Sequence, residues 1–407
     1  MPQPAPSPTA GRLPAGIWAL GFVSLLMDIS SEMIHSLLPV FMVTVLGTSM
    51  LAVGLIEGFA EATALIVKVF SGVLSDYWGK RKPLALLGYG LGAASKPLFA
   101  LATTSGLVLA ARLIDRVGKG LRGAPRDALV ADLAPPGRRG AAFGLRQSLD
   151  TVGAFTGPLL AMGLMLLWAN DFRAIFWVAV IPGALSVALL LFGVREPARA
   201  PHTISEAPRP NPISKTNLRR LGTAYWHVAA IGAVFTLARF SEAFLLLRAL
   251  QIGLPIAYTP LVLIGMNIVY ALGAYPFGKL SDSTSHTALL AWGMGVLIAA
   301  DVLLAGSGQW SHPGLWLCAG IALWGLHMAM TQGLLATMVA NASPPDLRGT
   351  AFGFFNLLSG VALLVASTLA GVLWDRLGAP ATFAAGAAFS VAALALLWVW
   401  RQALRQP

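Results

Sequence analysis

Uncharged or nearly uncharged runs of about 20 residues recur along the whole chain, the length an α-helix needs to cross a bilayer. "AIFWVAVIPGALSVALLLFGV" (174–194) and "FAAGAAFSVAALALLWVW" (383–400) are two of them. A β-barrel would show short alternating strands instead. With 57% hydrophobic and 11% charged residues, the chain has too little polar material to clothe a soluble domain of 407 residues. We therefore read an all-α polytopic membrane protein. The predicted spans are 16–45, 50–75, 83–104, 106–133, 141–168, 172–195, 222–250, 255–281, 287–306, 314–342, 349–373 and 379–400.

These twelve spans fall into two sets of six. "REPARAPHTISEAPRPNPISKTNLRR" (195–220) is rich in Pro, Arg and Ser and reads as a linker between them. The expected organisation is an N-terminal tail at 1–14, a first six-helix bundle at 15–196, a cytoplasmic linker at 197–220, a second bundle at 221–402 and a C-terminal tail at 403–407. The opening "MPQPAPSPTAGR" lacks a basic segment followed by a short apolar one, so no cleaved signal peptide is expected.

A net charge of +11 would suit a nucleic-acid partner, but its placement argues against one. Lys80, Arg81, Lys82, Arg138, Arg139, the linker's basic residues, Arg348, Arg401 and Arg405 fall on one side of the predicted topology. Only Arg173 and Arg376 fall on the other. That is the positive-inside pattern, with both termini in the cytoplasm and the chain in the inner membrane. Cys318 is the one cysteine, so no disulfide staples the fold.

The two halves repeat. "APPGRRGAAFG" (134–144) returns 209 residues later as "SPPDLRGTAFG" (343–353), with seven of eleven residues identical. "GVLSD" (72–76) returns as "GKLSD" (278–282), and "SSEM" (30–33) has a weaker echo in "FSEA" (240–243). Two similar halves in parallel orientation point to a transporter whose site lies between them at the midplane. "GVLSDYWGKRK" (72–82) resembles the loop motif G-x-x-x-D-R/K-x-G-R-R/K of the major facilitator superfamily, with Gly72, Asp76, Gly79, Lys80 and Arg81 matching and Tyr77 in place of a basic residue. "RVGKGLRGA" (116–124) resembles that family's fourth-helix motif R-x-x-Q-G through Arg116 and Gly120, with Lys119 replacing the polar residue. "GAFTGP" (153–158) resembles the fifth-helix motif of its drug–proton antiporters, although Ala161 and Met162 stand where further glycines belong. The resemblance covers the whole chain. It implies two pseudo-symmetric six-helix bundles, with helices 1, 2, 4 and 5 around a central cavity and helices 3 and 6 toward lipid. It also implies a gating loop of Gly72, Asp76, Gly79, Lys80, Arg81, Arg139 and Arg348, in which Asp76 meets the start of helix 11.

"GKGLRGAPRDALVAD" (118–132) carries five charges and resembles a solvated loop. Its repeat partner, "HMAMTQGLLATMVAN" (327–341), continues an uncharged membrane-length run and places the charged copy inside the membrane too. On a helix, Asp115, Lys119, Arg122 and Arg126 fall within one stripe, at spacings of 0, 4, 7 and 11, flanked by Arg112. Four charges facing lipid would cost on the order of 10 kcal/mol, so the stripe must face water or countercharge. Countercharges are available: Asp28, Glu32 and His35 share one face of span 1, Glu57, Glu61 and Lys68 one face of span 2, and Arg146 lies one turn from Asp150 on span 5.

Such charges either form a locking ion-pair network or bind solute and protons. Asp28, Glu32, Glu57, Glu61 and Arg116 are the proton-coupling candidates. Arg112, Lys119, Arg122, Arg126, Arg146, Asp150, Arg239, Glu242 and His327 are the solute-binding candidates, with Trp324, Asn267, Gln332 and Asn356 as further contacts in the second half. Asp28, Glu32 and His35 are also chemically able to hold a divalent metal, although no resident metal or cofactor is expected. No nucleotide cradle "GxxxxGK[ST]" and no hydrolase or zinc motif appears, so neither ATP-driven transport nor an enzyme is expected. The reading is a monomeric, proton-coupled secondary transporter of a small polar or charged solute. Export by antiport is the first expectation, favoured by the fifth-helix motif, and import of an organic anion by symport the second. A divalent-metal exporter and a receptor that kept the fold but lost transport remain further alternatives.

Overall fold

The computed structural model describes residues 13–78, 80–135, 138–196, 220–344 and 347–400, the side chains of 72–78, 139, 281–283 and 349 excepted. The first twelve residues, the linker up to residue 219 and the C-terminal tail lie outside the described residues. So do Gly79 and the side chains of Gly72, Asp76 and Arg139, four members of the expected gating loop.

The chain runs through α1 (Ala15–His35), α2 (Leu38–Thr44), α3 (Met50–Trp78), α4 (Arg81–Ala100), α5 (Ser105–Leu133), α6 (Arg139–Leu167) and α7 (Phe172–Gly193). The second half supplies α8 (Thr223–Ala238), α9 (Ala243–Gln251), α10 (Pro260–Ser283), α11 (His286–Gly306), α12 (Pro313–Asn341), α13 (Arg348–Leu377) and α14 (Ala379–Val399), with a short 3₁₀ turn at Ile256–Tyr258. The first predicted span is α1 and α2 together, broken at Ser36 and Leu37. Pro39 explains that break, since it has no N–H to offer the His35 carbonyl four residues back and its ring would clash with that carbonyl in a continuous helix. The seventh predicted span is α8 and α9, broken over Arg239–Glu242 without any proline. There Ser241 N donates to Ser367 Oγ at 3.1 Å and Ser241 Oγ accepts from Ala243 N at 3.2 Å, so side chains replace part of the lost helical bonding.

Among the described residues, ten segments are long and apolar enough to cross a membrane. α4 and α5 are not among them, because α4 carries Arg81, Lys82 and Lys96, and α5 the charged row from Arg112 to Asp132. Both lie against other helices: α4 packs along α5 and α7, and α5 along α3. Gly88 and Gly118 make the α4–α5 approach possible, since a Cβ on Gly118 would sit 2.6 Å from the Gly88 carbonyl oxygen.

Packing repeats between the halves. The pairs α4–α5, α1–α7, α4–α7, α3–α5 and α1–α6 recur as α11–α12, α8–α14, α11–α14, α10–α12 and α8–α13. Across the halves, α3 runs along α13 and α6 meets α10. α7 turns Ile181, Leu185 and Phe192 outward, as a lipid-facing helix would. α4 exposes Leu87 yet buries Lys96 completely, so its charged residue turns inward.

Candidate functional site

A cavity of about 630 Å³ lies between the two halves, of a size suited to a small-molecule ligand. α1 brings Glu32 and His35, α3 brings Glu57 and Glu61, and α5 brings Arg112, Arg116 and Lys119. From the second half come Arg239, Ser241 and Glu242 at the α8–α9 break, Gln332 of α12, and Asn356 and Ser359 of α13. Leu65, Phe240, Leu246 and Phe355 are among its apolar walls.

The charges on α5 do not all face this space. Residues Arg112, Arg116 and Lys119, at spacings of 0, 4 and 7, form the stripe that lines the cavity. The stripe expected from Asp115, Lys119, Arg122 and Arg126 is therefore corrected, for only Lys119 belongs to both. A helix wedged between α3 on one side and α4 on the other has countercharge on two faces, and helical spacing alone cannot choose between them.

Toward α3, Arg112 Nη2 donates to Glu57 Oε2 at 2.5 Å, and Arg116 Nη2 lies 3.1 Å from Glu61 Oε1. Toward α4 and α1, Lys96 Nζ donates to Asp115 Oδ1 at 2.7 Å and to Ser31 Oγ at 3.0 Å. His35 links the second set to Glu32 of the cavity lining, with Nε2 3.3 Å from Asp115 Oδ2 and Nδ1 3.7 Å from Glu32 Oε1. Arg122 lies over the Tyr89 ring, 4.9 Å from its centroid, and 3.9 Å from Asp28 Oδ1. Asp28 thus faces Arg122 and not His35, so the three candidate metal ligands of α1 are not gathered. No group of three His, Cys, Asp or Glu side chains able to hold a metal occurs among the described residues.

Lys119 is exposed into the cavity, and no ion pair to it exists within 4.0 Å among the described residues. The same holds for Arg239 and Glu242. Arg239 instead places its guanidinium 5.7 Å from the Phe235 ring centroid.

The remaining candidates lie elsewhere. Arg126, Arg146, Asp127 and Asp150 form one cluster between α5 and α6. In it, Arg146 Nη1 donates to Asp150 Oδ2 at 2.6 Å, Arg126 Nε donates to Asp127 Oδ1 at 3.1 Å, and Arg126 Nη1 reaches Ser24 Oγ at 3.2 Å. His327 is fully buried beside Trp324 and Phe235, away from the cavity lining, and Asn267 and Trp324 also do not line it. Of the expected gating residues, Lys80 and Arg348 are exposed. Arg81 is buried and donates to Asp132 and to the Ala128 carbonyl, while its own N–H donates to Glu196.

Three residues lie outside the expected site set. Lys96 is the one charge in the predicted span 83–104, and an isolated charge in an apolar span calls for a partner. Asp301 was visible in the same way: it is fully buried in α11, neither carboxyl oxygen has a hydrogen-bond partner, and it lies against Gly386 and so behind Phe240 of the cavity wall. Asp375 carried no local signal. Its carboxylate accepts from Met50 N at 3.0 Å and Leu51 N at 2.8 Å, capping α3 from the far end of α13.

The family pattern described as Major Facilitator Superfamily matches residues 20–356 and 243–406. An uncharacterised MFS-type transporter of Methanocaldococcus jannaschii is 33% identical over 401 residues, covering 95% of this chain and 96% of that protein. A crystal structure of the nucleoside transporter NupG superimposes with a TM-score of 0.77 at 13% identity, over 96% of this chain and 100% of that one. The human organic anion transporter MFSD10 gives a TM-score of 0.60 at 20% identity, over 94% and 99% of the two chains.

Proposed function

The chain belongs to the major facilitator superfamily and is a secondary-active, alternating-access transporter of a small molecule rather than an enzyme; from that premise we propose that it exchanges a small polar or charged solute for protons, in the direction of export. The observation that carries this reading is the cavity itself. It is walled by charge from α1, α3, α5 and the α8–α9 break, and Glu32, Lys119, Arg239 and Glu242 line it outside any close carboxylate–cation pair. A purely apolar solute would leave those groups without water or partner. Ionisable groups at this depth are costly to keep and mark solute or proton paths.

The residues divide by role. Arg112–Glu57 and Arg116–Glu61 tie α5 to α3 and hold the cavity wall. Glu32 and Glu242 are the carboxylates freest to take up a proton, and Lys119 and Arg239 the cations freest to meet solute. Asp28 with Arg122, and the Arg126–Asp127–Arg146–Asp150 cluster, brace the first half. The proposed arrangement is the twelve-span bacterial type, two six-helix bundles joined by the 197–220 linker. The protein works as a monomer in the inner membrane with both termini in the cytoplasm, where Asp76, Lys80 and Arg348 form the gate.

A second reading is import of an organic anion together with protons. Arg112, Arg116, Lys119 and Arg239 all line the cavity, and the human relative in fold is described as an organic anion transporter. Proteoliposomes with an internal pH dye separate the two. Under antiport, a solute gradient drives protons the opposite way; under symport, both move together. Proton flux with no solute class, together with unchanged transport in Glu32→Gln and Glu242→Gln variants, would remove the transport-site assignment.

A further inference from the structure

We propose that the cavity takes a small zwitterion, a solute carrying both an ammonium-type cation and a carboxylate- or phosphate-type anion. The proposal rests on the transport reading above and names the class of its solute. Its basis is charge balance. Two pairs on the lining cancel, Arg112 with Glu57 at 2.5 Å and Arg116 with Glu61 at 3.1 Å, and behind it Lys96 cancels Asp115 at 2.7 Å. What remains on the lining, with His35 as the neutral imidazole, is Glu32, Lys119, Arg239 and Glu242. Glu32 has His35 at 3.7 Å; for the other three, no ion pair within 4.0 Å occurs among the described residues.

The remainder is itself neutral, and each half supplies one charge of each sign. Glu32 and Lys119 come from α1 and α5, and Arg239 and Glu242 from the break between α8 and α9. A solute with one charge would satisfy one sign, leave the other stranded and give the enclosed site a net charge. Enclosing an unbalanced charge away from water is strongly unfavourable. A zwitterion adds no net charge and offers a partner to both signs.

The repeat sharpens the assignment. "SSEM" (30–33) and "FSEA" (240–243) place Glu32 and Glu242 at matching positions of the two copies. The carboxylates are 210 residues apart, and the cations have no such match: 209 and 210 residues after Lys119 stand Met328 and Ala329, and the same distances before Arg239 stand Ser30 and Ile29. The carboxylates are thus a repeated pair, one on each half, able to meet an ammonium from either side. Lys119 and Arg239 have no counterpart in the other copy and receive the anion. An ammonium and a proton then compete for the same carboxylates, which is the coupling that exchange requires.

The test uses the purified full-length protein and matched trios. Each trio is an ω-amino carboxylate or dipeptide with its amine-only and carboxylate-only analogues, over a ladder of chain lengths, with binding followed by calorimetry. In at least one trio the zwitterion is expected to bind about tenfold or more tightly than either analogue. Lys119→Gln or Arg239→Gln should lower that affinity toward the amine-only value, and Glu242→Gln toward the carboxylate-only value. Equal affinities within every trio, preference for a singly charged member, or no binding by any trio overturns the proposal. The wild-type comparison stands even where a variant misfolds. Proteoliposome flux separates the two levels: a bound zwitterion that is not moved sinks transport but leaves the class, whereas flux of a singly charged solute without zwitterion preference does the reverse.

Discussion

Lys96 and Asp115 meet where neither has access to water, at 0% and 2% side-chain exposure. A pair of that kind adds little net stability over an apolar pair of the same shape, but breaking it by removing one partner costs about 3–5 kcal/mol. Lys96→Met should therefore lower the melting temperature markedly, because Asp115 keeps only His35. The double variant Lys96→Met with Asp115→Asn should recover most of the loss, a coupling that a double-mutant cycle measures directly. Additive losses would show that the two residues act independently. The residue types in this network were all legible in the sequence, since a charge in a membrane span must find a partner. Which partner was not. α5 has countercharges on α3, α4 and α1, and a spacing of 0, 4, 7 describes Arg112, Arg116 and Lys119 as well as 0, 4, 7, 11 describes Asp115, Lys119, Arg122 and Arg126. Only the packing of α5 against Gly88 of α4 selects the face.

Helices α3 and α13 are joined along their length by small residues. A Cβ on Gly54 would lie 2.1 Å from the Ser367 carbonyl oxygen, and one on Gly58 3.0 Å from Leu364 Cα. Gly54→Ala must therefore push two backbones apart, and should lower both thermal stability and transport rate. Gly90 of α4 is the control, since a Cβ there meets nothing within 4 Å. Gly90→Ala should stabilise by about 0.5–1 kcal/mol, the ordinary gain of alanine over glycine in a helix. Equal effects of the two substitutions would refute the close-contact account. Asp375 adds a polar tie at one end of the same helix pair, and its loss in Asp375→Ala should cost about 0.5–2 kcal/mol, read as a fall in melting temperature. A melting temperature unchanged from wild type would remove that role. Element existence was largely readable from apolar length, but continuity was not. The α1–α2 break had Pro39 to announce it, whereas the α8–α9 break depends on Ser241 and Ser367 meeting from distant parts of the chain.

At the scale of the molecule, the internal repeat was the most informative signal, because a 209-residue offset already relates the halves before any contact is known. The recurrence of five helix pairs follows the same relation. The contacts between halves do not follow from it, since a repeat describes each copy and is silent about how the copies meet. Those contacts are where alternating access must act. α3 and α13 touch from Gly371 beside Leu51 at one end to Gly353 beside Val69 at the other, so at least one end must part in each cycle. The chain's single cysteine, Cys318, allows a clean test. In a Cys318→Ser background, Val69→Cys and Gly353→Cys would be brought within disulfide reach, since a Cβ on residue 353 lies 3.2 Å from Val69 Cγ1, the place of a sulfur on residue 69, and meets no backbone. The oxidised protein should bind solute as before on the side that stays open, yet move none across the membrane, and reduction should restore transport. Transport at the same rate before and after reduction would mean that this end of the α3–α13 contact stays closed throughout the cycle. The moving interface would then have to be sought at the opposite end of that pair and between α6 and α10.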